Sequence, residues 1–74
     1  MDNRFITVDG ARLRRLRREQ ALSQQDVERI TGIAQATLSD LEQGKRGARA
    51  STLRKLAELL DVEPKELMKK EGQK

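Results

Sequence analysis

Residues 22–46 read LSQQDVERITGIAQATLSDLEQGKR, and the helix-capping residues in this stretch decide the fold. Ser23 is a good N-cap, because its side-chain oxygen can accept a hydrogen bond from an early amide of the following helix. Gly32 and Gly44 favour helix ends, because glycine adopts the left-handed conformation found there without steric strain. The predicted helices are 24–31 and 35–43.

Apolar residues at helical spacing extend this pattern on both sides. Asp9 can cap a first helix over residues 10–20. Ser51 can cap a fourth over residues 52–60, where apolar residues recur at the i, i+3, i+4, i+7 spacing of a buried helix face. Pro64 suits the first turn of a short fifth helix. Beyond the N-terminal segment nothing alternates as a strand does, so the predicted fold class is all-α, a compact five-helix domain.

The composition argues against several classes of function. The 74 residues include no histidine and no cysteine, which removes the commonest general base, a common metal ligand and any disulfide. We therefore expect no enzyme activity, no catalytic residue, no metal and no cofactor. Phe5 is the only aromatic residue, so single-stranded RNA would find few stacking partners. No apolar run approaches the length of a membrane span or signal sequence, which predicts a cytoplasmic protein without a membrane partner.

The net charge of +4 is unevenly distributed along the chain. Arginines crowd residues 12–18, basic residues return at 45–55, and acidic residues dominate 58–66. Such runs are typical of a solvated helix face and equally of a surface that binds phosphate. Charge alone leaves both interpretations open.

The third predicted helix has an outward face of short or amide-bearing side chains, although 38% of the chain is charged. With residues about 100° apart, Leu38 and Leu41 define the core-facing side. The outward residues are Gln35, Ala36, Ser39, Asp40 and Gln43, with Thr37 at the border. This face suits the major groove of duplex DNA, where glutamine can pair with adenine, a methyl group can touch thymine and aspartate can accept from cytosine. An ordinary polar helix surface would satisfy the same pattern.

The junction between the second and third helices resembles a known family. Gly32 ends one helix three residues before Gln35 begins the next, which is the spacing of a helix-turn-helix. The combined pattern resembles the Xre-type, lambda-repressor-like helix-turn-helix family over about residues 11–68. The matching positions are Leu22, Ser23, Gln24, Val27, Gly32, Ile33, Leu38, Leu41, Glu42, Gly44 and Lys45, then Leu53, Leu56, Ala57, Val62, Pro64 and Leu67.

The resemblance implies a five-helix domain that binds operator DNA, usually as a two-fold dimer. The base-reading residues it implies are Gln35, Ala36, Thr37, Ser39 and Asp40. The phosphate-binding residues it implies are Gln24, Gln43, Lys45, Arg46 and Arg49. It further implies a structural salt bridge between Arg17 and Glu42, which would fix the angle of the third helix.

Three positions depart from the family pattern. Ala34 stands where serine or threonine often caps the third helix, and this loss would weaken the helix start by roughly 1 kcal/mol. Glu28 replaces a usually small residue, so we expect it to turn outward or find an arginine, or else to loosen the packing of the second helix. Asp40 places a negative charge on the groove-facing side, where it either accepts from cytosine or repels phosphate.

These expectations divide the chain into an N-terminal arm at 1–9, a helix-turn-helix domain at 10–70 and a flexible tail at 71–74. The FITV segment at 5–8 can be flexible, cover the core or pair with a second copy, and the sequence does not choose. The predicted function is sequence-specific binding of double-stranded DNA by a homodimeric, nucleoid-associated transcriptional regulator. Repression is the simplest outcome, with polymerase or a second protein as a further partner. The alternative is a protein-interaction module, such as an antitoxin or adaptor, that docks a partner on the last two helices.

Overall fold

The computed structural model describes residues 5–70 as four α-helices followed by one 3₁₀ turn. The elements are α1 Gly10–Glu19, α2 Gln24–Thr31, α3 Gln35–Gln43, α4 Ala50–Leu60 and the 3₁₀ turn Pro64–Leu67. The all-α prediction is confirmed for this part of the chain, and the fifth helix is corrected to a single 3₁₀ turn. The turn stops because Met68 becomes extended and pairs with Val8. None of the helices in residues 5–70 has the length and apolar character needed to cross a bilayer.

The first three helices are capped by the residues that the sequence indicates. Asp9 caps α1 through its side chain. Ser23 and Asp26 form a reciprocal capping box at the start of α2, with both hydrogen bonds at 2.9 Å. Gly32 and Gly44 follow α2 and α3 with φ of 82° and 77°, the left-handed conformation that glycine adopts without strain.

The start of α4 differs from the prediction. Ser51 is not its N-cap, because α4 already begins at Ala50 and Arg49 occupies the N-cap position without a side-chain capping bond. The helix starts earlier because Ala48 is held in an antiparallel bridge with Ile6, and the chain stays extended only through Arg49. Ser51 therefore lies exposed in the first helical turn.

The core consists mainly of leucines contributed by every helical element except α2, which adds a valine. The most buried large side chains, each at most 1% exposed, are Leu13, Leu38, Leu41, Leu53, Leu56, Leu67 and Val27. α1 lies close against the end of α3, because Gly10 has no side chain and faces the carbonyl groups of Leu41 and Glu42. This packing holds the inner side of α3 against the core and leaves its other side to solvent.

The FITV segment covers one end of the core. Ile6 and Ala48 exchange two backbone hydrogen bonds, of 2.7 and 2.9 Å. Val8 is only 5% exposed and belongs to the core cluster. Of the three possibilities that the sequence leaves open, the segment therefore covers the core. Residues 1–4 of the predicted arm and the predicted tail at 71–74 lie outside the described residues.

Candidate nucleic-acid interface

α3 turns its polar face away from the core. Leu38 and Leu41 are 0% exposed and hold the inner side of the helix. On the outer side Gln35, Ala36 and Gln43 are exposed, while Thr37, Ser39 and Asp40 are half-buried. Since none of these six side chains is buried, the whole face is accessible to a large ligand.

The two glutamines of this face differ in their hydrogen bonding. The side-chain amide of Gln43 donates to Oγ of Ser39 at 2.8 Å, one turn earlier in α3. Gln35 donates through its backbone amide, and no hydrogen bond within residues 5–70 engages its side-chain amide. A free amide offers the donor and acceptor that a bidentate contact requires. Gln35 can therefore form such a contact directly, whereas Gln43 must first release Ser39.

Glu28 caps the start of α3 from the neighbouring helix. Ala34, at the N-cap position, makes no side-chain hydrogen bond. The Glu28 carboxylate turns outward from α2, and its Oε1 accepts the backbone amide of Gln35 at 3.2 Å. A negative charge at a helix N-terminus is favourable, because the helix dipole is positive there. Two departures from the family pattern thus compensate for each other, a relation that sequence reasoning missed although both positions were noted.

Arg17 and Glu42 form a bidentate ion pair behind the polar face. Arg17 Nε and Nη2 donate to the two carboxylate oxygens of Glu42 at 2.6 and 3.0 Å, and Nη1 donates to the carbonyl of Leu22 at 2.7 Å. Their side chains are only 10% and 3% exposed. The hydrogen bond with Glu42 raises the pKa of the Arg17 guanidinium, burial opposes this rise, and the negative charge of Glu42 adds to it. The pair ties α1 and the chain leading to α2 to the end of α3.

Gln24 is attached to the same ion pair. Its side-chain nitrogen donates to Oε1 of Glu42 at 3.1 Å, and the residue is half-buried at the first position of α2. An amide nitrogen carries two N–H donors, so one remains for an outside acceptor. The start of α2 and the end of α3 are therefore connected through the carboxylate of Glu42. The sequence did not predict this contact.

The basic loop after α3 begins at a fixed position. Gly44 and Lys45 donate backbone hydrogen bonds to carbonyls of the last turn of α3, at 3.2 and 2.8 Å. The side chains of Lys45, Arg46 and Arg49 are exposed. The Arg49 guanidinium lies over the ring of Phe5, 5.6 Å from its centroid, which keeps this cation close to the N-terminal segment. Three exposed cations therefore lie in the loop between the C-terminal end of α3 and the start of α4.

Together, two helices joined by a left-handed glycine, an accessible polar face on the second helix and a basic loop beside it define a helix-turn-helix protein. The sequence profile of the helix-turn-helix domain family matches residues 10–73. The chain belongs to this family, and the resemblance to Xre-like proteins is confirmed.

The chain is similar to bacterial proteins named as transcriptional regulators. It is 44% identical over 68 residues to the uncharacterized HTH-type transcriptional regulator y4dJ of Sinorhizobium fredii, covering 92% of this chain and 86% of that protein. It is 39% identical over 64 residues to the HTH-type transcriptional repressor RghR of Bacillus subtilis, covering 85% of this chain and 47% of that protein. This chain therefore spans about half the length of RghR.

Solved structures show the same fold. The restriction-modification controller protein C.AhdI from Aeromonas hydrophila matches with a TM-score of 0.73 and 37% identity, covering 80% of this chain and 89% of that one. The DNA-binding domain of BldD matches with a TM-score of 0.71 and 28% identity, covering 93% of this chain and all of that one, 100%.

Proposed function

We propose that this protein binds double-stranded DNA in a sequence-specific manner and regulates transcription, as a repressor rather than an activator. The observation that carries the proposal is the outer side of α3, which is accessible and bears amide, hydroxyl and methyl groups in a chain otherwise rich in charge. The major groove admits one α-helix and displays a distinct pattern of donors and acceptors for each base pair. The names of the relatives, transcriptional regulators and one repressor, support this assignment.

Base reading falls to the side chains on the outer face of α3. Gln35 is the main base-reading residue, because its side chain is exposed at the start of the helix and its side-chain amide has no hydrogen bond within residues 5–70. A good bidentate contact contributes about 1–3 kcal/mol of discrimination between bases. The other base-reading residues are Ala36, Thr37, Ser39 and Asp40.

Hydrogen-bond donors and basic side chains around the outer face of α3 bind the phosphates. Gln24 has one N–H left after its bond to Glu42, and the loop cations extend from the end of α3. These contacts set affinity and register without reading sequence. The proposed phosphate-binding residues are Gln24, Gln43, Lys45, Arg46 and Arg49.

A homodimer on a two-fold operator fits the size of the molecule. Its principal extents are 33 × 29 × 21 Å, so one copy spans about one turn of duplex. Two copies on half-sites about 34 Å apart read enough bases for a specific site. Such a dimer occludes a promoter by occupying it, while a contact with polymerase from the same position would activate.

A second candidate function is docking of a protein partner, as in an antitoxin or adaptor. Ile30 is 52% exposed and lies beside Leu59 and Lys55 of α4. A protein that only docks a partner binds duplex DNA weakly and without a steep dependence on salt, whereas phosphate contacts make DNA affinity fall strongly with salt. A salt titration on duplex DNA separates the two functions.

Selection of binding sites from random duplexes, followed by two variants, tests the proposed function. Gln35→Ala is expected to relax preference at one base pair per half-site, while Lys45→Ala weakens binding to all duplexes alike. Lys55→Ala is the matched control, because it removes the same charge from α4 and should leave binding unchanged. If Gln35→Ala and Lys45→Ala have the same effect, the division into base-reading and phosphate-binding residues is wrong. If no duplex is enriched, sequence-specific binding is wrong.

A further inference from the structure

α1 carries a basic groove that the contacts proposed above do not use. The groove is open, has a volume of about 560 Å³, and includes three arginines of α1. Its lining residues are Ala11, Arg14, Arg15, Arg18, Glu19 and Glu42. The family resemblance implies no role for Arg14, Arg15 or Arg18, and the charge of this segment by itself fits both a solvated face and a phosphate-binding surface.

The position of the groove places its arginines next to α3. Gly10 marks the side of α1 that touches the end of α3. At about 100° per residue, Arg14 and Arg18 lie roughly 40° and 80° around the helix from Gly10 in the same direction, so both lie beside this contact, on one side of it. Glu42 of α3 is one of the residues that line the groove, and its buried carboxylate accepts the side-chain amide of Gln24 at 3.1 Å. The groove therefore adjoins the point where the start of α2 is proposed to meet a phosphate.

The charges in the groove do not cancel. Arg15 is paired with Glu19 at 3.7 Å, and Glu42 is paired with the buried Arg17. No ion pair within residues 5–70 involves Arg14 or Arg18, and both are exposed. These two cations lie at i and i+4 of one helix, where like charges repel each other. A bound anion removes this repulsion, so the groove is suited to a ligand that carries more than one negative charge.

We propose that Arg14 and Arg18 bind successive phosphates of the DNA backbone, outside the bases that α3 reads. This inference rests on the proposed function. Side chains at i and i+4 start about 6 Å apart, and phosphates of one strand advance about 3.4 Å along the duplex axis per base pair, which two long, flexible side chains can match. The guanidinium fork suits phosphate oxygens. The groove extends the contact surface from α3 and its loop to α1, and it adds affinity without adding base preference.

The test compares two double variants of the whole chain on a mixed-sequence duplex, with affinity measured by fluorescence anisotropy from about 0.05 to 0.3 M NaCl. Arg14→Gln with Arg18→Gln removes the two cations of the groove. Arg54→Gln with Lys55→Gln is the matched control, since it removes two exposed cations from α4. All four side chains are exposed, and a thermal melt of each variant verifies that it folds.

In the groove variant, log affinity is expected to fall less steeply with log salt. The magnitude of the slope should decrease by about 1.8 per bound copy, since each of the two phosphate contacts contributes about 0.9. Its affinity at about 0.1 M salt should fall tenfold or more. On a duplex enriched by the selection from random duplexes, phosphate-ethylation interference should vanish at two backbone positions per bound copy. The control variant should keep the wild-type slope. Arg14→Lys with Arg18→Lys should recover most of the slope, because lysine retains the charge.

The outcomes separate this inference from the function on which it rests. If the wild-type chain binds duplex DNA and the groove variant retains both its slope and its ethylation pattern, the phosphate contacts are refuted while the proposed function stands. An equal loss in the groove and control variants also refutes the groove, because net charge alone would then explain the effect. If the wild-type chain binds no duplex at any salt concentration, the proposed function is wrong and the groove proposal is overturned with it.

Discussion

Replacing Glu42 with alanine is expected to destabilise the protein far more than the loss of an ordinary surface charge. The Glu42 side chain is 3% exposed and accepts hydrogen bonds from Arg17 at 2.6 and 3.0 Å and from Gln24 at 3.1 Å. In the variant, Arg17 keeps only its bond to the carbonyl of Leu22, at 2.7 Å. Leaving a charge of this burial without its partner costs about 3–5 kcal/mol.

The stability of the whole domain shows how large this effect is. At about 0.05–0.15 kcal/mol per residue, a chain of this length has a free energy of unfolding of roughly 4–11 kcal/mol. The Glu42→Ala variant therefore loses about a quarter of this free energy or more. The melting temperature should fall by about 12 °C or more, since 1 kcal/mol corresponds to roughly 4–8 °C in a domain of this size. Urea unfolding followed by far-ultraviolet circular dichroism measures the free energy directly.

Two further variants test the reasoning. Glu19→Ala breaks the exposed Arg15–Glu19 pair, whose side chains are 57% and 60% exposed, and should cost less than about 1 kcal/mol. Arg17→Met combined with Glu42→Leu removes both buried charges and their desolvation cost, so its stability should lie within about 2 kcal/mol of the wild type. If Glu42→Ala costs no more than Glu19→Ala, the buried pair does not hold α1 and α3 together in the way described.

Three other variants address the packing, the pH dependence and the helix caps. Gly10→Ala should lower the free energy of unfolding in urea by about 1–3 kcal/mol, because the added Cβ overlaps backbone carbonyls at the end of α3. An unchanged midpoint of urea unfolding would show that α1 and α3 can move apart at no cost in stability. The pKa of Asp26 is lowered first by its hydrogen bond from the Ser23 backbone and then by its bond with Arg29. A carboxyl group with a lowered folded-state pKa stabilises the protein above its unfolded value of about 3.9, and this contribution is lost as the pH falls through the folded value. The advantage in melting temperature of wild type over Asp26→Asn should therefore shrink below about pH 4, and a difference that stays constant into strong acid contradicts this. Glu28→Ala should lower the stability of α3 by up to about 1 kcal/mol, and adding Ala34→Ser should restore a similar amount in calorimetry; no restoration would mean that the N-terminus of α3 needs no cap.

The sequence predicted the positions of the first three helices because their signals are local. Ser23, Gly32 and Gly44 act on amides and carbonyls a few residues away, so their effect can be inferred without the rest of the chain. The outward face of α3 followed from Leu38 and Leu41, because a helix that buries two leucines on one side must expose the residues on the other. The start of α4 was misplaced, and the element that begins at Pro64 is a single 3₁₀ turn where a helix was predicted. Both differences arise because pairing with residues 5–8, far away in sequence, decides where α4 begins and where the 3₁₀ turn ends.

The amino-acid sequence by itself determined the helix-turn-helix and the chemical character of its outer face, since both depend on spacing within one or two helical turns. Only the tertiary structure decided how those side chains are used. It joined Gln24 to Glu42, placed the Glu28 carboxylate on the amide of Gln35, and left the Gln35 side chain without a partner within residues 5–70. It also made Gly10 a contact point, where helix propensity alone would favour alanine. These features depend on distances between separate helices, and the packing of the leucine core fixes those distances.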